Sequence, residues 1–124
     1  MKAKKAVDLV DERYPNDYSS DEKYEWLKQI EDKVVNEVYK THEEAYEVPD
    51  LLRVTSVDVP SADLCIPDRY AETVYTNYLL SKIALLYHEI DKYNDAMTVF
   101  FNEYEEFKRD YHRTHTPKSV QVYL

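Results

Sequence analysis

The chain has 124 residues, a formal net charge of −9, 13 tyrosines, one cysteine and no glycine. This length is typical of one domain, which buries roughly two thirds of its unfolded surface and needs no disulfide framework or structural metal to fold. The absence of glycine excludes the Walker P-loop, the G-x-G-x-x-G turn and the G-x-S-x-G elbow of many enzymes, and the acidic charge argues against binding to nucleic acid phosphates or to an anionic membrane.

Nothing in the sequence predicts a membrane segment. No apolar run approaches the roughly 18 residues of a membrane-spanning helix. Residues 1–14 alternate charged with small apolar residues and do not form the apolar centre of a signal peptide. Cys65 has no partner for an intramolecular disulfide, which suits a reducing compartment. We therefore expect a soluble protein of the cytoplasm.

The first part of the chain predicts two helices. Apolar residues recur at the spacing of one helical face: Ala3, Ala6, Val7 and Val10. With Pro15 beyond them, they predict a helix over about residues 2–13. Ser19 and Glu22 have the spacing of a capping box and predict the start of a second helix, over about residues 20–42.

Residues 43–67 lack helical periodicity and contain three prolines. The run from Val54 to Val59 alternates β-branched with other residues, which is typical of a strand. The sequence therefore predicts a central loop that contains at most one short strand.

The second half carries an apolar seam in alternating steps of four and three residues, as in packed helices: Leu79, Ile83, Leu86, Ile90, Tyr93, Met97, Phe100, Tyr104, Phe107 and Tyr111. One helix of about 45 residues would span about 65 Å, so the helix either projects into an oligomer or folds back on itself. We place a turn between His88 and Asp91, which gives a long helical hairpin over about residues 68–88 and 91–115. The predicted fold is thus a single all-α domain of about four helices. Phe100 and Phe107 are predicted to lie in the core.

Residues 116–124 are predicted to form an extended tail. Val120, Val122 and Leu124 alternate with polar residues or tyrosine, and no segment of obvious length is available to pair with them. Such a tail is suited to pair with another chain as an added strand. We therefore expect intermolecular contacts from Arg113 onward.

Two groups of residues are candidates for sites of chemistry. His112 and His115 lie on one helix face, but they lack the third and fourth ligands that a metal needs, and histidines are favoured at the negative end of a helix. Cys65 has His42 or His88 as a candidate base, but its apolar neighbours are typical of a buried thiol. The prediction is a protein that is not an enzyme and has no catalytic residues, metal or cofactor.

The many tyrosines have two possible interpretations, and both can hold for the same residue. A tyrosine ring packs in an aromatic core, and it also serves protein interfaces because its hydroxyl reaches the wet edge. Tyrosines at the ends of predicted helices or outside them are the better interface candidates. With the tail, they complete the candidate interface residues: Tyr14, Tyr18, Arg113, His115, Val120, Val122, Tyr123 and Leu124.

Short motifs follow one another in a distinctive order along the chain. The first half contains Tyr14-Pro15-Asn16, Tyr18, Trp26-Leu27 and Lys40-Thr41-His42-Glu43. The second half contains Ile66-Pro67-Asp68-Arg69-Tyr70, Tyr78-Leu79, Tyr93-Asn94, Met97, Phe100-Phe101-Asn102, Tyr104, Phe107, Tyr111 and Arg113-Thr114-His115-Thr116-Pro117. Over residues 5–117, and more weakly across 44–62, this order resembles the head-tail connector (adaptor) proteins of tailed phages and prophages of Gram-positive bacteria.

The resemblance implies a structural virion protein. A helical subunit of this family assembles in the host cytoplasm, joins a homo-oligomeric ring beneath the portal protein at the head-tail junction, and offers a platform for the next neck, stopper or tail protein. Genomic DNA would pass without specific binding, because carboxylates that line a channel repel phosphate. Family members often have glycine near the turn between the last two helices, where this chain has Tyr87-His88-Glu89.

The alternative is an acidic decoy or regulatory protein that binds a DNA-binding enzyme in place of DNA. The net charge of −9 is compatible with that function. Several acids, however, have bases at helical spacing, as in Glu89 with Lys92 and Glu105 with Arg109, which indicates a solvated helix face.

Overall fold

The computed structural model describes residues 1–55 and 57–118, and these residues form helices without a β-sheet. The elements follow in chain order: α1 (Ala3–Arg13), α2 (Ser20–Glu37), a 3₁₀ turn (Tyr39–Thr41), α3 (Asp50–Arg53), a second 3₁₀ turn (Val59–Ser61), α4 (Asp68–Leu86) and α5 (Ile90–Thr114). The all-α fold class and the long pair of C-terminal helices are confirmed. No helix in the described ranges is both long and apolar enough to cross a membrane.

Helix α2 begins as predicted but ends before the expected residue 42. Ser19 caps it by accepting a hydrogen bond from the backbone N–H of Glu22. At the other end, the Val38 carbonyl accepts hydrogen bonds from the side chains of Thr41 (2.7 Å) and His42 (2.7 Å). These side chains replace the next helical donors, so the chain turns into a 3₁₀ segment instead of continuing the helix.

The described part of the central segment contains no strand, although the pattern from Val54 to Val59 allows one. Pro49 precedes the short helix α3, which buries Leu51. Val59 begins a 3₁₀ turn that also contains a proline. Alternation of β-branched residues is therefore a weak predictor here, because the prolines on both sides favour turns.

Backbone hydrogen bonds join the central segment to the first residues of the chain. The Ala3 N–H donates to the Ala62 carbonyl (2.9 Å), and the Leu64 N–H donates to the Met1 carbonyl (2.8 Å). This pairing holds the segment against the start of α1 as an isolated bridge. These bonds satisfy main-chain groups of the segment without a sheet.

Helices α4 and α5 form an antiparallel hairpin with its turn at Tyr87–Glu89, close to the predicted position. His88 has a φ of 59°, and it is the one residue with positive φ among those described. The Glu89 N–H donates to the Ala84 carbonyl (2.8 Å) and the His88 N–H to the Leu85 carbonyl (3.1 Å). This pair of bonds is a Schellman motif, in which glycine usually occupies the left-handed position.

Replacing His88 with glycine is expected to raise the free energy of unfolding by about 0.5 to 1 kcal/mol. A residue with a Cβ costs about 1 to 2 kcal/mol in the left-handed region, and the greater freedom of glycine in the unfolded chain offsets part of that gain. Urea denaturation of the variant measures the change. His88→Ala is the control, since alanine keeps a Cβ, and an equal gain from alanine would contradict this explanation.

The core lies between the hairpin and the first two helices. Phe100 and Phe107 are buried in it, as predicted. The Phe100 ring stacks on Tyr104 with centroids 5.6 Å apart. Five of the 13 tyrosines also belong to the buried core: Tyr24, Tyr39, Tyr70, Tyr75 and Tyr104. For these tyrosines the aromatic-core reading is confirmed.

Candidate functional site

The described candidate interface residues lie at the two ends of the α4–α5 hairpin. Tyr14 and Tyr18 contact its turn, whereas Arg113 and His115 lie at the far end of α5. Because α5 has 25 residues at a rise of about 1.5 Å each, these ends are roughly 37 Å apart. The other candidates lie outside the described residues: Val120, Val122, Tyr123 and Leu124.

Tyr14, Tyr18, Trp26, Tyr87 and Glu89 form a cluster at the turn, here called the turn-end cluster. The Tyr14 hydroxyl donates to a Glu89 carboxylate oxygen (2.6 Å). The Tyr18 ring contacts Tyr87 and Trp26, with centroids 5.2 and 5.8 Å apart. Burial and the hydrogen bond to Glu89 raise the pKa of Tyr14 to about 12, so its hydroxyl remains a donor at neutral pH. Both candidate tyrosines therefore serve intramolecular packing, which their positions outside the helices did not suggest.

A buried lysine holds the connection between α1 and α2 at this end. Lys23 is almost fully buried, and its Nζ donates to a carboxylate oxygen of Asp11 (2.6 Å) and to the Tyr18 carbonyl (2.8 Å). The Asn16 side chain accepts from the Tyr18 N–H (3.0 Å). These bonds position the ring of Tyr18. Sequence reasoning missed Lys23, because a lysine in a helix is ordinarily exposed.

Tyr39, His42, Tyr111, His112 and His115 form a second cluster at the opposite end, here called the histidine-end cluster. His42 is only 1% exposed, and its Nε2 lies 2.9 Å from Nδ1 of His112. His115 stacks on Tyr111 with ring centroids 3.7 Å apart. The sequence grouped His112 with His115 and offered His42 only as a candidate base for Cys65, since 70 positions separate His42 from His112.

The chain after α5 pairs with the segment that contains His42. The Glu43 N–H donates to the Thr116 carbonyl (2.9 Å), and the Lys118 N–H donates to the Thr41 carbonyl (2.8 Å). His42 and Pro117 form the antiparallel bridge between them. For residues 116–118, the expectation that the tail has no partner within the chain is therefore wrong. Residues 119–124 lie outside the described residues.

A small apolar cleft of about 200 Å³ lies beside the histidine-end cluster. Its walls include Tyr39, Tyr70, Phe107 and Asp110. Asp110 accepts hydrogen bonds from the Tyr70 hydroxyl (3.0 Å) and from the Arg113 guanidinium (2.6 Å), which hold the pKa of its carboxyl below the ordinary value. An aromatic cleft with fixed charges at its edge is suited to bind an apolar side chain of another protein.

A buried carboxylate lies in the core, between α2 and the start of α4. Glu31 is fully buried, accepts a short hydrogen bond from the Tyr75 hydroxyl and also accepts from the Cys65 N–H (2.8 Å). The Ile66 N–H donates to the Tyr75 oxygen (3.0 Å). Burial raises the pKa of Glu31 and that of the Cys65 thiol. A nucleophilic cysteine needs a lowered thiol pKa, so this environment does not activate Cys65. The arrangement satisfies buried polar groups and fixes the entry to α4.

No three histidine, cysteine, aspartate or glutamate side chains in the described part of the chain converge on a position for a metal ion. Comparison of the chain with models of protein families, with curated proteins and with solved structures gives no significant match. The turn-end and histidine-end clusters at the two ends of the hairpin are therefore the best candidate site.

Proposed function

We propose that the protein is a structural virion subunit, a head-tail adaptor that assembles as a ring beneath a portal protein and binds the next neck or tail protein. One observation carries most of the support. The motifs Lys40-Thr41-His42-Glu43 and Arg113-Thr114-His115-Thr116-Pro117, quoted for the resemblance, lie far apart in sequence and pack together as one unit. Motifs that pack together as one unit support the resemblance more strongly than the same motifs would if they were scattered over the surface.

The placement of the two clusters supports an adaptor function. An adaptor must bind one neighbour above and a different one below. The turn-end and histidine-end clusters differ in composition and lie at opposite ends of the longest element of the fold. Each cluster contains several aromatic rings, which are enriched in protein interfaces.

The sides of the hairpin offer surface for contacts between ring subunits. Several large apolar side chains of α4 and α5 are about half exposed: Leu85, Leu86, Ile90, Val99 and Phe101. Exposed apolar residues that gather on one element are typical of surfaces covered in an assembly. In a ring, each subunit presents two different sides to its neighbours.

The charges on α5 favour the adaptor over the acidic decoy. Four acids at the turn and along α5 form ion pairs with bases three residues later: Glu89–Lys92, Glu105–Lys108, Glu106–Arg109 and Asp110–Arg113. The partner of Glu105 is thus Lys108, and not Arg109 as the sequence suggested. A decoy that mimics DNA phosphates needs carboxylates that are free to contact the basic side chains of its partner. Acids paired in this way are instead typical of a solvent-exposed helix face. The net charge of −9 remains suited to a subunit that lets DNA pass.

Replacing Arg113 with alanine is expected to weaken binding to portal-bearing heads about tenfold. Its side chain is 75% exposed at the histidine end and is held by Asp110, so it is placed to contact a partner. Loss of one arginine at the centre of an interface costs on the order of 1 to 2 kcal/mol of binding free energy. Sedimentation of the variant with heads that carry the portal protein from the same genome measures retention.

Arg109→Ala is the matched control, because Arg109 is exposed one turn earlier and makes the same kind of pair with Glu106. It is expected to bind like the unmodified protein. Equal loss of binding in both variants would contradict a specific role for Arg113. Failure of the unmodified protein to bind heads, together with tight binding to a DNA-binding enzyme in competition with DNA, would replace the adaptor with the decoy.

A further inference from the structure

The bond between His42 and His112 fixes where the protons of the two rings lie. Nδ1 of His42 is 2.7 Å from the Val38 carbonyl, which only accepts, so this nitrogen carries a proton. In the neutral ring Nε2 is then an acceptor. The partner nitrogen, Nδ1 of His112, must donate to it across 2.9 Å. Two neutral imidazoles therefore share one proton in a defined direction.

The geometry limits how many further protons the pair accepts. A first added proton enters at Nε2 of His112, outside the bond, and leaves the shared proton in place. A second added proton has only Nε2 of His42 left, and it would set two N–H groups against each other at 2.9 Å. The folded pair thus holds one added proton, whereas two separated histidines each take one below a pKa of about 6.5.

We infer that the His42–His112 pair is a proton-sensitive latch that holds the chain after α5 against residues 41–43 and releases it on acidification. The pair lies directly beside the main-chain bonds of Glu43 with Thr116 and of Lys118 with Thr41. Separation of the two rings would move the end of α5 away from His42. Within the described residues, two main-chain bonds make up this pairing.

Among residues 1–55 and 57–118, no carboxylate is hydrogen-bonded to either ring of the pair. Tyr111 of α5 faces His42 edge-on, with centroids 4.7 Å apart, and the His115 ring lies 6.0 Å away. The charged groups that act on the pair come from α5 and from the segment after the 3₁₀ turn: Glu105, Lys108 and Glu44. His115 acts in turn on Glu44. Glu44 is itself bonded to the Thr116 N–H (2.8 Å), so it also contributes to the paired segment.

The direction of the pH effect follows from the pKa of His112. Burial lowers the pKa of this ring most, and the neighbouring His42 and Lys108 lower it further, against a smaller opposite effect of Glu105. A histidine with a lowered pKa in the closed state stabilises that state above its ordinary pKa of about 6.5, and this stabilisation is lost as the pH falls. The latch is therefore closed at neutral pH and opens in mild acid.

Amide hydrogen exchange, measured by NMR and corrected for the intrinsic rate at each pH, tests the latch. The amides to follow are those of Glu43 and Lys118. Their protection is expected to fall by up to about tenfold for each pH unit between about 6.5 and 5, as one proton is taken up on opening. The amide of Glu89 at the other end of the hairpin is expected to keep its protection. A flat profile for Glu43 and Lys118 in the unmodified protein overturns the inference without any variant.

Three variants separate the latch from a general effect of acid. His112→Asn places an amide near the position of Nδ1 that donates or accepts as needed and does not titrate, so protection is expected to become independent of pH. His112→Ala is expected to exchange fast at every pH. His88→Asn removes a histidine at the opposite end and should retain the full pH dependence. The same pH dependence in His112→Asn as in the unmodified protein would also overturn the inference.

Discussion

Replacing Phe100 with alanine is expected to lower the free energy of unfolding by about 3 to 5 kcal/mol, the usual range for a buried phenylalanine. Phe100 is 3% exposed and packs against Tyr78 and Tyr104, so removal of its ring leaves a cavity lined by aromatic side chains. These neighbours belong to different positions along the hairpin and cannot close together without moving α5. Urea denaturation followed by circular dichroism measures the change.

The next residue on the same helix is a matched control. Phe101 is 54% exposed, and Phe101→Ala is expected to change stability by no more than about 0.5 kcal/mol. Both substitutions remove the same ring from neighbouring positions of α5, so helix propensity contributes equally. Similar losses for the two variants would contradict the assignment of Phe100 to the core and Phe101 to the surface.

Replacing Glu31 with alanine is expected to lower the free energy of unfolding by about 3 to 5 kcal/mol. The Tyr75 hydroxyl and the Cys65 N–H both donate to this carboxylate, and each buried donor without an acceptor costs about 1 to 3 kcal/mol. Glu31→Gln keeps the shape and one acceptor, so its loss should stay within about 1.5 kcal/mol. Glu25→Ala is the surface control on α2, because Glu25 makes only an exposed pair with Lys28.

The stability of the unmodified protein and that of Glu31→Gln should depend differently on pH. Burial raises the pKa of Glu31 in the folded state above its unfolded value. Its favourable contribution is therefore complete below the unfolded pKa of about 4.3 and is lost as the pH rises through the folded pKa. Relative to Glu31→Gln, the unmodified protein should become less stable as the pH rises, which urea titrations at several pH values measure. A difference that is constant with pH would contradict the raised pKa.

Periodicity was sufficient to predict the helical fold and the hairpin. The apolar seam from Leu79 to Tyr111 identified both long helices, because apolar residues at this spacing lie on one face of a helix, and that face is buried by packing. The turn was placed near its observed position from the length a compact domain allows, although no glycine marks it. In this chain His88 adopts the left-handed conformation that glycine usually supplies.

The polar interior could not be predicted in the same way. Glu31 and His42 are buried against residues distant in sequence, Tyr75 and His112, and Lys23 is buried against Asp11 and Tyr18 of the preceding helix and loop. A helical pattern contains no information on which residues outside the helix those partners are. The early end of α2 has a similar cause, since it depends on side chains that bind the Val38 carbonyl. The tail was expected to lack a partner because the partner is a segment too short to be recognised as a strand.

The order in which contacts form during folding follows from the hairpin. Helices α4 and α5 are consecutive and joined by the tight turn Tyr87–Glu89, so their packing closes only a short loop. The contact of His42 with His112 spans 70 positions, and loop-closure entropy grows with that separation. Local contacts form fastest, so the hairpin is expected to form before the C-terminal pairing closes. Opening of that pairing breaks contacts of long sequence separation and leaves the contacts within the hairpin intact.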